Sequence, residues 1–187
     1  LQLPMRIPWK ELQQAQELHD QRYHKDIYYL PPKDRLTHLA LHYIKYTGKA
    51  AADIHLSLES SDRIYPLMSV DKLTSLVTDT GIVSLSAANA LHMHLDEKMI
   101  EVPDHLEVQS LPNIYRQFIN ELVIPVGHIA KALESLDHLE AVPYRTYLED
   151  GIVAIIQNVM KTSQALHQDV EKNIVERWKA IESKSLF

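Results

Sequence analysis

One stretch of the chain carries two pairs of chemically capable residues, each pair spaced one helical turn apart. His38 and His42 stand at i, i+4, and so do Lys45 and Lys49, with Tyr46 between the two lysines. On a helix such partners share a face. Two imidazoles at that spacing can grip a transition metal, and two ammonium groups can take a phosphate directly. Each pair also has a plainer reading: ordinary packing for the histidines, a solvated helix face for the lysines. Further along, Asp79 lies in the apolar and small-residue run LVTDTGIVSLSAANAL. A carboxylate buried there needs a partner. The expected one is Lys45 or Lys49, and the alternative is an exposed Asp79.

Helices must position these groups. The chain holds only four glycines, Gly48, Gly81, Gly127 and Gly151, too few for the turns of a sheet protein. Each sits in a segment of helical periodicity, where Gly costs about 1 kcal/mol relative to Ala. The expectation is that each admits a neighbouring helix or a ligand closely. Prolines 31, 32, 66, 103, 112 and 143 fall between the periodic segments. This punctuation predicts five main helices. The first spans Trp9 to Ile27, with Leu12, Ala15, His19, Arg22 or Tyr23, and Ile27 on one face. The second spans Asp34 to Glu59 and buries Leu36, Leu39, Tyr43, Ala50 and Ile54. The third spans Val70 to His94, with Ser69 as N-cap and Asp71 suiting the helix dipole; a short helix from Asp96 follows. The fourth spans Pro112 to His138. The fifth spans Tyr144 to Ile181, with a break near Gln168. Pro125, mid-pattern in the fourth, predicts a kink near Glu121. That kink either reshapes a pocket opposite Gly127 or is simply tolerated in a packed bundle.

Composition removes several function classes. Hydrophobic residues make up 45% of the chain, enough for a core, and the net charge is −6. An acidic balance argues against a nucleic-acid binder, which needs a basic surface, and against adhesion to anionic membranes. Without cysteine there is no disulfide, thiolate zinc site or Cys nucleophile. No run approaches the roughly 18 apolar residues of a membrane span, and no secretory leader is legible, so the expected location is cytoplasmic. His92, His94 and His167 form no usable constellation, and no P-loop or nucleophile-elbow pattern is present.

An internal repeat is visible. ALHMHLDEKMIE at 90–101 and ALHQDVEKNIVE at 165–176 match at Ala90, Leu91, His92 and Glu101 against Ala165, Leu166, His167 and Glu176. Upstream, KYTGKAAADI around Gly48 lies opposite IPVGHIAKAL around Gly127. Each half reads as a long helix with a central Gly-Lys or Gly-His, then a helix ending in Ala-Leu-His.

These segments resemble a known family. AQELHDQRYHKDIYYLPPKDRLTHLALHYIKYTGKAAAD at 15–53 is similar to the entry of a MazG-like all-α NTP pyrophosphohydrolase, where an aromatic-rich turn leads into a glutamate-bearing helix. SLVTDTGIVSLSAANALHMHLDEKMIE resembles the family's second motif helix, and VERWKAIESKSLF its C-terminal segment. The resemblance implies an all-α bundle of two pseudo-repeated helical hairpins in one domain over 1–187. The first unit is 1–108 and the second, degenerate unit 109–187, with the first helix packed across them. It also implies paired carboxylates caging Mg²⁺ on the substrate phosphates.

Carried over position by position, that cage is mostly absent. The family's three glutamate positions hold Lys45, Tyr46 and Lys49; the next Glu position is Leu76, and only Asp79 keeps its carboxylate. The second half offers Ile124, Pro125 and His128, then Gly151 and Ala154. The expected function is therefore a non-catalytic MazG-like protein without a metal cofactor. It would bind a nucleotide, another phosphorylated small molecule or a protein partner through a cleft lined by His42, Lys45, Tyr46, Lys49 and Asp79. His128 would mark the matching position in the second half. The alternative is an active Mg²⁺-dependent nucleoside triphosphate pyrophosphohydrolase using displaced carboxylates: Asp79, Glu121, Glu149 and Asp150. A homodimer is compatible with either.

Overall fold

A computed structural model describes residues 7–59, 67–98, 100 and 107–184. Of the residues named above, Pro66, Met99, Glu101 and Pro103 lie outside the described residues. Every regular element among the described residues is helical: α1 (Trp9–Tyr23), α2 (Lys25–Tyr28), α3 (Pro32–Glu59), α4 (Val70–Ala90), a 3₁₀ turn (Leu95–Glu97), α5 (Leu111–Asp137), α6 (Tyr144–Ala165) and α7 (Val170–Lys184). The expected all-α class is correct. The first expected helix is two, because the backbone leaves the helical region at His24. The fifth divides between Ala165 and Val170, at the expected break near Gln168.

The local signals act as their chemistry requires. Ser69 caps α4 by accepting the Lys72 N–H at 3.0 Å. α4 stops at Ala90, short of the expected His94, because His92 turns left-handed with φ 53°. There Met93 N–H donates to Ala88 O at 2.9 Å and His92 N–H to Asn89 O at 3.0 Å, the paired bonds of a Schellman cap. α6 ends the same way: His167 has φ 54°, Gln168 N–H reaches Ser163 O at 2.8 Å and His167 N–H reaches Gln164 O at 3.1 Å. The two Ala-Leu-His segments thus share one terminating geometry. α5 continues through Pro125, which is buried.

α3, α4, α5 and α6 build the core. α3 packs on α4 and α5, and α6 packs on the same two helices. Tyr43 meets Ser84 and Ser57 meets Met68, so α3 and α4 run antiparallel. Asn158 donates to Phe118 O, Gly151 lies against Ile129 and Tyr144 reaches Ser135 O, so α5 and α6 do too. Tyr43, Tyr115, Phe118, Leu73, Leu85, Leu122, Ile152, Ile155 and Ile156 are fully buried between them. At about 25 cal/mol per Å², such burial is the main stabilising term.

α4 is enclosed further, by α1 and α7 as well as α3 and α6. Crowding from four sides selects small residues, and Gly81, Ser84, Ser86, Ala87 and Ala88 are all buried. Its hydroxyls avoid a desolvation penalty by bonding back one turn: Thr78 to Thr74 O at 2.8 Å, Thr80 to Leu76 O at 2.6 Å and Ser84 to Thr80 O at 2.7 Å. α1 turns an unexpected face toward it. Gln13, Gln16, His19 and Asp20 are buried beside Leu12, whereas Ala15, Tyr23 and Ile27 are only partly covered and Arg22 is exposed.

The glycines divide two and two. A methyl at Gly151 would stand 2.7 Å from Ile129 Cγ1 and 3.3 Å from Pro125 O, and one at Gly81 would touch Val159 and Ile174. Gly48 and Gly127 face open space, with nothing within 4 Å of an added methyl. The expected close approach therefore fails at these two. Gly151→Ala should destabilise by about 1–3 kcal/mol through overpacking. Gly48→Ala should stabilise by up to about 1 kcal/mol through helix propensity. Urea midpoints of the two variants, with unchanged slope, check both signs.

Candidate functional site

A cavity of about 240 Å³ opens where α1, α2, α3, α4 and α7 meet. Its floor is a buried ionic network. Asp20, only 6% exposed, accepts from Gln16 Nε2 at 2.9 Å, Ser86 Oγ at 2.6 Å and Arg35 Nη2 at 3.4 Å. Three helices thereby converge on one carboxylate. Gln16 Oε1 accepts the Trp178 indole N–H at 2.7 Å, which ties in α7. Arg35 also lies over the Tyr28 ring, 4.8 Å from its centroid. The Tyr28 hydroxyl donates to Glu17 at 2.5 Å. That carboxylate acceptor is the main cause of its raised pKa.

The rim carries the groups singled out in the sequence. His42, Lys45, Tyr46 and Asp79 all line the cavity. Asp79 does not pair with a lysine of α3; that expectation is overturned. Its Oδ1 accepts from Arg177 Nε at 2.8 Å and its Oδ2 from Nη2 at 3.5 Å. The physical reason is reach: α7 lies on α4 and brings a forked guanidinium that fits a carboxylate better than an ammonium does. Lys49 is exposed and does not line the cavity. His128 is likewise exposed on α5, its ring 6.4 Å from that of Tyr147. The cleft thus gathers four of the six expected residues, and Lys49 and His128 stand outside it.

Hydrogen bonding fixes the tautomers along α3. Lys45 Nζ lies 3.3 Å from His42 Nδ1. An ammonium only donates, so Nδ1 is the acceptor and the His42 proton resides on Nε2. His42 Nε2 stands 3.1 Å from His38 Nε2 and donates to it. Tyr46 Oη also lies 3.3 Å from His42 Nδ1. Burial, then the Lys45 charge, then His38 push His42 down to about 4, so it is neutral near pH 7. Burial first, then the Asp79 charge, holds the Tyr46 phenol protonated. Lys45 extends over the Tyr46 ring, 5.1 Å from the centroid, and has no carboxylate partner among the described residues.

Magnesium does not fit here. Asp79, the one carboxylate at the expected cage positions, is held by a guanidinium. The displaced carboxylates are engaged too: Glu121 with Lys161 at 2.8 Å and Glu149 with Arg145 at 2.8 Å, while Asp150 is exposed. Among the described residues no three His, Asp or Glu side chains gather as metal ligands. Metal capture by His38 and His42 would need the His42 proton moved to Nδ1, against the Lys45 ammonium. What the cleft offers instead is a surplus of cation. Arg35, Lys45 and Arg177 face Asp20 and Asp79, with the imidazoles of His24, His38 and His42 nearby.

Sequence reasoning missed Asp20, Arg35, Ser86 and Arg177. Asp20 and Arg35 sit one turn from recognised stripe positions, but charge makes them read as solvent-facing. Arg177 lies 98 residues from Asp79, beyond any local pattern. Comparison with known proteins finds no matching family model, no similar curated protein and no similar solved structure.

Two consequences are measurable. The folded His42 pKa lies below its ordinary value of 6.5, and burial lowers His19 as well. Stability from these groups is complete above about pH 6.5 and is lost as pH falls toward about 4, because the unfolded chain binds the protons first. His42→Gln should flatten that acid limb in a denaturation series against pH. Asp20→Ala, which leaves Arg35 buried without its carboxylate, should cost about 3–5 kcal/mol by urea unfolding.

Proposed function

We propose that this chain is a non-catalytic binding protein for a small phosphorylated molecule, held in the cleft between α3, α4 and α7 without a metal. The observation that carries the reading is Lys45: an ammonium at the mouth of a cavity whose two carboxylates are already neutralised by Arg35 and Arg177. A cation left over in a partly closed site attracts an anion more strongly than it would in bulk water. Apolar side chains of Ile27, Leu39, Ile82 and Val83 supply a wall for the rest of the ligand, as small-molecule sites generally have.

The likeness to MazG-like proteins belongs to the same proposal. It is supported by two antiparallel helix pairs packed on one another and by the shared Schellman ends at Ala90-Leu91-His92 and Ala165-Leu166-His167. On this reading the chain is a degenerate tandem member: the metal cage of the first half has become an ion pair, and the ligand phosphate meets Lys45 directly.

Thermal unfolding with nucleotides and sugar phosphates in excess chelator tests the proposal. A ligand at about 100 times its Kd stabilises by about 2.7 kcal/mol, a clear rise in Tm. The expected result is that rise without metal, together with no pyrophosphate release from nucleoside triphosphates in Mg²⁺. Turnover that depends on Mg²⁺ would replace this reading with the enzymatic one.

A further inference from the structure

The charge inventory of the cleft bears on how many phosphates it can accept. Of its three permanent cations, Arg35 is bonded to Asp20 and Arg177 to Asp79. Lys45 alone remains uncompensated among them. Glu17 does not line the cavity; it faces Tyr28 instead. The nearest source of further positive charge is imidazole. His42 Nδ1 accepts from Lys45 at 3.3 Å and lies 3.3 Å from Tyr46 Oη, so it can take a proton once the ammonium turns to a ligand and the phenol O–H rotates away. His42 Nε2–H keeps donating to His38 as before. His24 stands on the α1–α2 side of the same space, with Tyr46 below and Asp79–Arg177 across from it on α4 and α7.

One ammonium and one newly protonated imidazole supply two positive charges. A phosphomonoester carries about −1.5 to −2 at pH 7 and less as pH falls through about 6, so that pair matches its charge best on the acid side of neutrality. Each additional phosphate of a di- or triphosphate adds charge for which the cleft has no further free cation, in a site that water only partly screens. We infer that the anion taken by this cleft is a phosphomonoester with a compact planar or apolar body, and that its capture draws one proton from solvent onto His42 Nδ1. The inference rests on the binding function proposed above and narrows its ligand class. Lys45 moves from His42 to a phosphate oxygen, and the imidazolium donates Nδ1–H to the same anion. Three effects favour that proton: Lys45 no longer donates to Nδ1, its charge is paired, and an anion now lies in contact. An opposite charge at such range raises an imidazole by about 1–3 units.

Isothermal titration calorimetry of the full chain in chelator, with adenosine mono-, di- and triphosphate and phenyl phosphate, tests this. The monophosphates should bind at least about tenfold more tightly than the triphosphate, a 1.4 kcal/mol margin. Repeating the monophosphate titration in two buffers of different ionisation enthalpy should reveal proton uptake that grows between about pH 7 and about pH 5.5. Lys45→Gln should weaken the monophosphate at least about tenfold, and Lys49→Gln should leave it unchanged. His42→Gln should abolish the proton uptake; circular dichroism of each variant verifies folding. Triphosphate binding as tight as monophosphate would overturn the ligand class while leaving the anion-binding reading standing. Equal heats in the two buffers at every pH would overturn the protonation. No binding by any of the four compounds would overturn both the inference and the reading beneath it.

Discussion

A single buried carboxylate organises this molecule. Asp20 is removed from water in a region where an unpaired charge would be costly by several kcal/mol, so its donors are obligatory. They come from α1, α3 and α4, and Gln16 passes the connection to Trp178 on α7. Those bonds set the registers of four helices that hydrophobic packing alone would leave free to slide. The cleft is the space left above this network. Its floor is fixed because Asp20 must be satisfied, and its cations are placed because Arg35 and Arg177 each answer a carboxylate on another helix.

The crowded position of α4 makes this arrangement feasible. A helix covered on four sides cannot carry large side chains on all of them, and Gly81, Ala87 and Ala88 keep the neighbours close. The hydroxyls are equally necessary. Ser86 reaches the carboxylate, Ser84 meets the Tyr43 phenol at 2.9 Å, and Thr80 returns its proton to the backbone. Alanine in their place would preserve the fit and lose the register.

How much of this is legible in the sequence depends on whether the signal is local. Ser69, Leu36, Leu39, Tyr43 and Ala50 are readable because capping and helical periodicity act over a few residues. The Ala-Leu-His ends are visible as a repeat, although a left-handed histidine in place of glycine conceals their role as helix stops. α1 is misread because its buried face is polar: Gln13, Gln16 and Asp20 look solvated until a polar helix is placed against them. His42, Lys45 and Tyr46 share a face by local spacing, whereas Asp79 joins their cleft in the sequence reading only through the family resemblance; all four line one cavity. The partner of Asp79 is not legible, because nothing near residue 79 announces that α7 will supply an arginine.

The α3–α4 and α5–α6 pairs also differ in what covers them among the described residues. The first pair of core helices is flanked by α1, α2 and α7, which half-bury His42 and leave Lys45 exposed at the rim. On α5, Ile124, Gly127 and His128 are exposed among the described residues. An imidazole there stays in water and meets only the Tyr147 ring. Charge selectivity needs exclusion of water as well as charged groups. On the proposed function, the outer helices decide which helix pair can discriminate among anions, and the residues carried on the pair itself decide only which sign of charge it prefers.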